Sequence, residues 1–274
     1  MSVTLNLQRI ESSLATMRSL WSLSHPEMIA TDIQIFDTVF STNKTLWQLR
    51  QQGAKSGTVA IATQQIAGRG QWGRQWQSTP GGLYLSLGID CNLSATQQAQ
   101  LTIATAWGIA SQLREYGIAL QLKWPNDLIL NQRKLGGILT ETKVSQQQIV
   151  QAVIGVGINW NNSVPETGIS LQQFLAESVE ASKVQSLELL AALVIFGIEQ
   201  GLRYCLQGRI EHLLKSYTQL LNSLGRRVEI EGNSGIIVGV NQSGELRVQI
   251  SSISSSASIR EICVKPGTIS LGYD

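Results

Sequence analysis

The stretch richest in chemistry is Gly68-Arg69-Gly70-Gln71-Trp72-Gly73-Arg74-Gln75-Trp76. Gly68, Gly70 and Gly73 let backbone N–H groups close in on an anion. Arg69 and Arg74 add permanently charged forks that suit phosphate or carboxylate. Trp72 and Trp76 can wall off an apolar ligand. The segment contains no G-x-x-x-x-G-K and is not a P-loop; Gly68, Gly70 and Gly73 do carry the G-x-G-x-x-G spacing, which by itself is a weak signal for a dinucleotide site. The segment reads as a loop that holds an anion beside an apolar group. A solvated surface loop with charged decoration is the plain alternative.

Three further segments carry polar groups at strand ends. In Lys123-Trp124-Pro125-Asn126-Asp127, Pro125 stiffens a turn and pushes Trp124 out of the helical region. Asn126 and Asp127 then present polar groups at fixed positions, although Pro-Asn-Asp is equally good turn chemistry. Arg133-Lys134-Leu135-Gly136-Gly137 places two cations before two glycines and a strand, which an ordinary surface hairpin would also explain. Gly155-Val156-Gly157-Ile158-Asn159 closes an apolar strand. Its glycines allow close backbone approach, to a ligand or to packed neighbours, and Asn159 can read an amide or a base edge. Together the four segments supply cations, anion nests, aromatics and amides, but no nucleophile and no histidine base. That inventory suits a reaction in which negative charge builds on phosphate and electrostatic positioning does most of the work.

The elements around these segments follow from periodicity. Leu14, Met17, Leu20 and Trp21 form a helical stripe over about residues 11–22 that reads as a docking helix, ended by His25-Pro26. Ile33 to Phe36 is extended, and Thr42 to Gln52 is helical with Gly53 as its stop. Strands are expected at Val59–Thr63, Leu83–Leu87, Leu120–Trp124 and Ile149–Ile158, with a hairpin of 128–130 and 137–141 turning at Asn131 to Arg133. Helices are expected at Ala95–Tyr116, Ser186–Leu206 and Arg209–Leu221. After Gly225, short alternating strands at 228–230, 235–240, 245–250 and 259–264 suggest a small barrel, and the serine-rich 251–258 reads as a solvated loop. The expected fold class is α+β: a mixed sheet with helices, then a small all-β domain. The expected domains are a leader over 1–35, a catalytic domain over 36–222 and a C-terminal domain over 223–274.

Bulk properties exclude several classes. A chain of 274 residues, 43% hydrophobic and 15% charged, can bury a substantial core and is not disordered. A formal net charge of +2 without a basic stripe gives no case for nucleic acid. Cys91, Cys205 and Cys263 are odd in number and show no C-x-x-C spacing, which favours a reducing compartment over a disulfide framework. With only His25 and His212, a histidine metal site or a serine triad is short of residues. No signal-peptide pattern and no uncharged apolar run long enough for a bilayer stand out, so a cytoplasmic location and no membrane partner are expected.

The four segments, in this order, resemble those of the biotin protein ligases: the glycine–arginine loop, K-W-P-N-D, R-K-L-x-G-I-L and G-x-G-I-N. The resemblance runs from about Phe36 to Asn159, and the closing small β-domain is similar as well. It implies a catalytic domain of the class II aminoacyl-tRNA synthetase type and an SH3-like C-terminal domain. It also implies ATP-dependent formation of biotinyl-5′-AMP, followed by transfer of biotin to a lysine of a biotin carboxyl carrier domain, as in acetyl-CoA carboxylase. By resemblance, Ser41, Thr42, Asn43, Gln65, Arg69, Gly70, Gln71, Lys134 and Gly137 contact biotin. Gly68, Arg74, Trp76, Lys123, Asn126, Asp127 and Asn159 contact the nucleotide, and Lys134 and Arg69 are the catalytic cations. ATP and biotin are then substrates and Mg²⁺ accompanies the phosphates, with Asp127 its one candidate protein ligand. Family members often pair through the sheet, so a homodimer is compatible. Many members carry arginine where this chain has Gln71, which implies weaker retention of the adenylate. The roughly 35 residues ahead of the catalytic part are too few for the winged helix-turn-helix of the repressor members, so a ligase without nucleic-acid binding is expected. The rivals are a lipoate-type ligase with the same chemistry, a DNA-binding biotin sensor and an inactive biotin-binding module.

Overall fold

A computed structural model describes residues 5–22, 29, 32–178, 183–230, 232–251, 259–269 and 271–272. The turn expected at His25-Pro26 and nearly all of the serine-rich loop lie outside these residues, as do the side chains of Leu20 and Trp21.

A seven-stranded mixed sheet forms the body, in the order β1-β2-β3-β7-β6-β5-β4. Its strands are β1 (Asp32–Val39), β2 (Thr58–Gln65), β3 (Leu83–Ser94), β4 (Gln121–Lys123), β5 (Asp127–Leu130), β6 (Arg133–Ser145) and β7 (Gln148–Ile158). Only β1 and β2 run parallel; every other pair is antiparallel. The expected strands are present but several are longer. The β5–β6 turn is tighter than expected: Asn131 and Gln132 alone make it, both at positive φ, and Arg133 already belongs to β6. A second two-residue turn, Gln146-Gln147, joins β6 to β7 in the same way.

Helices α3 (Gln98–Glu115) and α5 (Leu187–Leu206) cover one face of the sheet with the main apolar core. The helix expected from Ala95 begins with a 3-10 turn, capped by Ser94 and Gln97 acting on each other's backbone N–H groups. Ser186 caps α5 by accepting from Leu189 N at 3.1 Å. Helix α5 has the length and apolar composition of a membrane span, but it is a core helix, mostly buried, and carries Glu188, Glu199 and Arg203. Helix α1 (Leu7–Ser22) packs on α5 and places Ile10, Leu14 and Met17 in the main core, with Leu5 just ahead of it. The buried Glu199 carboxylate is paired with Arg18 of α1. The N-terminal stripe is thus a docked helix. Helices α4 (Leu171–Glu177) and α6 (Ile210–Leu220) complete the set, and α4 was not expected, being only seven residues long.

Helix α2 (Thr42–Gln51) lies on the opposite face, where a smaller cluster of Leu46, Ala60 and Val153 forms. Strand register shows why that face can hold a site. Tyr84, Gly157 and Gly137 share one cross-strand row, Ser86, Gly155 and Leu139 the next, and Gly88, Val153 and Glu141 the third. Side chains alternate between faces, so the α2 face has a floor of mostly small residues.

The C-terminal strands β8 (Arg227–Ile230), β9 (Asn233–Val240), β10 (Leu246–Ser251) and β11 (Ile259–Val264) form a four-stranded antiparallel sheet, in the order β11-β10-β9-β8. It is tied to the body through the β9–β10 turn, where Gln242 O and Gly244 O accept hydrogen bonds from Gln100 Nε2 and Trp124 Nε1 at 2.7 and 2.8 Å.

Candidate active site

A cavity of about 650 Å³ opens on the α2 face of the sheet. Ser41, Thr42, Asn43, Gln65, Arg69, Gly70, Gln71, Arg74, Trp76, Lys123, Asn126, Asp127, Lys134 and Gly137 all line it. Two of the residues singled out from sequence do not. Gly68 is wedged where a Cβ would stand 2.5 Å from both Ser78 Oγ and Trp76 O. Asn159 is buried behind the cavity: its Nδ2 donates to Lys134 O at 3.4 Å and its Oδ1 accepts from Asn162 at 3.0 Å. Its amide holds the strand that carries Lys134, because that spacing puts it one row past the open floor.

One end of the cavity is a chain of neutral polar groups. Gln65 Nε2 donates to Ser78 Oγ at 2.7 Å, and Gln65 Oε1 accepts from Thr42 N at 2.8 Å and Thr42 Oγ1 at 3.2 Å. Ser86 Oγ lies 2.8 Å from Thr42 Oγ1 and donates to Asn43 Oδ1 at 2.6 Å. Asn43 Nδ2 donates to Glu141 Oε2 at 2.9 Å and to Leu139 O at 3.3 Å. Thr42 and Asn43 sit in the first turn of α2 and are buried. The chain fixes which way each amide points, so donors and acceptors are set before anything binds. Gly155 is required beneath it, since a Cβ there would collide with Asn43 Oδ1.

The middle of the cavity is cationic. Four cations, Arg69, Arg74, Lys123 and Lys134, line it beside the carboxylate of Asp127. Lys134 Nζ is 2.6 Å from Asp127 Oδ1 and 5.4 Å from the centre of the Trp76 ring. Arg69 is 2.9 Å from Glu141. Burial pushes the Lys123 amine below its ordinary range, Asp127 opposes this, and Lys134, Arg226 and Arg74 add to it. Trp76 is seated over Gly157, where a side chain would strike the indole nitrogen, and that nitrogen is buried without an acceptor among the described residues. The far end is the Trp124–Asp127 turn, whose Trp124–Pro125 bond is cis. Asn126 Nδ2 donates to Ile138 O at 2.9 Å, which locks the turn to β6.

Glu141, Ser86 and residues 267–269 and 271–272 belong to this site and were missed from sequence. Glu141 was legible in principle: it lies two and four residues beyond Leu139 and Gly137 on the same face of β6. Nothing in the sequence signals residues 267–269 and 271–272, which reach the cavity from beyond β11.

Residues 35–159 match the Biotin/lipoate A/B protein ligase family. The chain is 33% identical over 224 residues to the bifunctional ligase/repressor BirA of Escherichia coli, covering 79% of this chain and 69% of that protein. It is 33% identical over 167 residues to the BirA of Bacillus subtilis, covering 58% of this chain and 51% of that one. A biotin protein ligase from Aquifex aeolicus, solved with biotin and ATP, superposes with a TM-score of 0.66 at 25% identity, covering 85% of this chain and 95% of that one. The chain belongs to the biotin protein ligase family. It spans about half the length of the Bacillus relatives that it matches.

Proposed function

We propose that the protein activates biotin with ATP and transfers it to a lysine of a biotin carboxyl carrier domain. The observation that carries this reading is one cavity that joins an oriented polar chain to a cationic middle and a turn-bound far end. The ureido ring of biotin needs fixed donors and acceptors in a confined slot, and the chain from Gln65 to Asn43 offers them. Ser41 and Gly137 border that slot. The carboxylate of biotin must approach the triphosphate, and two anions meet only where cations screen them. Lys134 and Arg69 lie where the slot meets the cationic middle. Arg74, Lys123, Asn126, Asp127 and Trp76 face the nucleotide, and Trp76 offers an indole N–H that has no acceptor among the described residues.

In the first step a carboxylate oxygen of biotin forms a bond to the α-phosphorus of ATP, and the bond to the bridging oxygen breaks to release pyrophosphate. Lys134 stabilises the charge that builds on the α-phosphate. In the second step the neutral amine of the acceptor lysine attacks the anhydride carbonyl, a C–N bond forms, and AMP leaves with the electron pair of the C–O bond. Asp127 and the phosphates supply hard oxygen donors that fit Mg²⁺, which when bound neutralises phosphate charge. Among the described residues no three His, Cys, Asp or Glu come together to hold a metal.

Finer likenesses follow from the same reading. The sheet with its helices over 36–222 is of the class II aminoacyl-tRNA synthetase type, preceded by a leader over 1–35 whose helix α1 packs on α5. The sheet within 223–274 is an SH3-like domain. The weak net charge supports a ligase that acts without nucleic acid, and the three free cysteines support a cytoplasmic setting.

The test is transfer. Purified protein, biotin, MgATP and a carrier domain are mixed, and intact mass is read beside Lys134→Ala. A gain of one biotin that fails in the variant is expected. Pyrophosphate release with lipoate but not biotin would move the reading to a lipoate-type ligase.

A further inference from the structure

Trp72 stands at the tip of the glycine–arginine hairpin, with a left-handed backbone at φ 60 and 65% of its surface exposed. An aromatic residue is rare in that conformation, and an exposed indole buries little apolar area. One contact offsets both. The indole rests on Gly267, in the turn after β11, where a Cβ would stand 2.9 Å from Trp72 Cζ2 and 3.1 Å from Cη2. Gly267 is itself left-handed, at φ 91, so its conformation and its lack of a side chain both suit this seat.

The hairpin is tethered at both ends. Its base is closed by Gly70 N to Arg74 O at 2.7 Å and Trp76 N to Gly68 O at 2.9 Å, and Arg69 ties it to Glu141 of the large sheet. Its tip meets Gly267, in the turn that follows the C-terminal sheet. Trp72 also lines a second cavity of about 650 Å³, bounded by Ala99, Pro125, Glu245 and Pro266. The indole is therefore a partition between the substrate cavity and that neighbouring opening.

We propose that Trp72 is a positioning residue: seated on Gly267, it latches the hairpin over the substrate cavity and retains the acyl adenylate until an acceptor amine arrives. The proposal rests on the ligase reading. It gives the C-terminal sheet a part in the reaction. It also supplies a mechanical hold where the neutral Gln71 offers no charge to the adenylate phosphate.

Two readouts test it. Trypsin cuts after Arg69 and Arg74, so the rate of cleavage within the hairpin reports its freedom without any activity. The second readout is the fraction of biotinyl-AMP found free in solution relative to the total formed. In Trp72→Ala both should rise about tenfold, the scale of one lost aromatic contact. Trp72→Phe lacks the Cζ2 and Cη2 atoms that meet Gly267 and should rise with Trp72→Ala. Equal cleavage and equal escape in Trp72→Ala and wild type would overturn the latch. So would a Trp72→Phe that stays at wild type, because the seat of the outer indole ring would then not be the cause. If wild type forms no biotinyl-AMP, the ligase reading falls and the retention role with it, while the cleavage contrast still decides whether the latch exists.

Discussion

Glu141 permits a prediction in which two substitutions at one position act with opposite signs. Its carboxylate performs two tasks: it neutralises Arg69 at 2.9 Å, and it accepts a hydrogen bond from Asn43 Nδ2 at 2.9 Å. Arg69 can meet the biotin carboxylate only by exchanging one carboxylate for another. Glu141→Gln removes the competing charge, while the amide oxygen still accepts from Asn43. The Arg69 side chain is 48% exposed and that of Glu141 27% exposed, so the ion pair is discounted towards surface strength, about 1 kcal/mol. Its loss should lower the KM for biotin about fivefold. Glu141→Ala removes the acceptor as well. Asn43, almost wholly buried, then loses a charged partner worth about 1.5–3 kcal/mol. That exceeds the gain, so KM should rise. The assay is steady-state pyrophosphate release against biotin at saturating MgATP. A rise in KM with Glu141→Gln would refute the competition, and equal effects of the two variants would refute the division of tasks.

Gly155→Ala should raise the KM for biotin about tenfold, since the new methyl strikes Asn43 Oδ1 and overpacking of this kind costs about 1–3 kcal/mol; an unchanged KM would mean that Asn43 can move freely. Gln71→Arg should slow the escape of biotinyl-AMP, measured by filtration after a single turnover, and equal rates would dismiss the role given to position 71. Lys123 is buried with its pKa below the ordinary lysine value of 10.5, so it loses its charge sooner than other lysines as pH rises. The KM for ATP should therefore climb below pH 10.5, and Lys123→Arg should flatten the climb; a wild-type profile already flat there would count against a contact with the phosphates. Arg18→Ala leaves the buried Glu199 without that guanidinium, and urea unfolding should show a loss of about 3 kcal/mol. A loss below half a kcal/mol would show that α1 is not held through this pair.

The site was legible wherever one segment carried its own chemistry. Fourteen of the residues picked out from sequence line one cavity: those of the chemistry-bearing segments through their cations, glycines and amides at strand ends, and Ser41, Thr42, Asn43 and Gln65 through the family resemblance alone. Gly68 and Asn159 were misplaced for a different reason. Motif membership says that a residue is needed, and it does not say which way the side chain points. Asn159 lies one register row beyond the floor glycines, so its amide faces the backbone of Lys134. Glu141 was hidden by ordinariness, as a single acid in an alternating strand. Only the pairing of β6 with β7 places it under Arg69.

Period and punctuation located the large sheet, while the links between bodies stayed invisible. The stop of α2 at Gly53 follows from local sequence, as does the strand-to-turn switch at Asn131, because left-handed backbone has a composition. Contacts such as Trp124 with Gly244, Trp72 with Gly267 and Arg18 with Glu199 join residues far apart in the chain, and nothing in the neighbourhood of either residue names its partner. These three contacts have a common logic. Each holds a piece that periodicity would leave independent: the turn at the nucleotide end, the hairpin over the cavity, and the N-terminal helix. A cavity whose chemistry is positioning and charge needs walls that keep their distances. On this reading the C-terminal sheet and α1 are part of the catalytic body in the mechanical sense, although neither contributes a cation to the cavity.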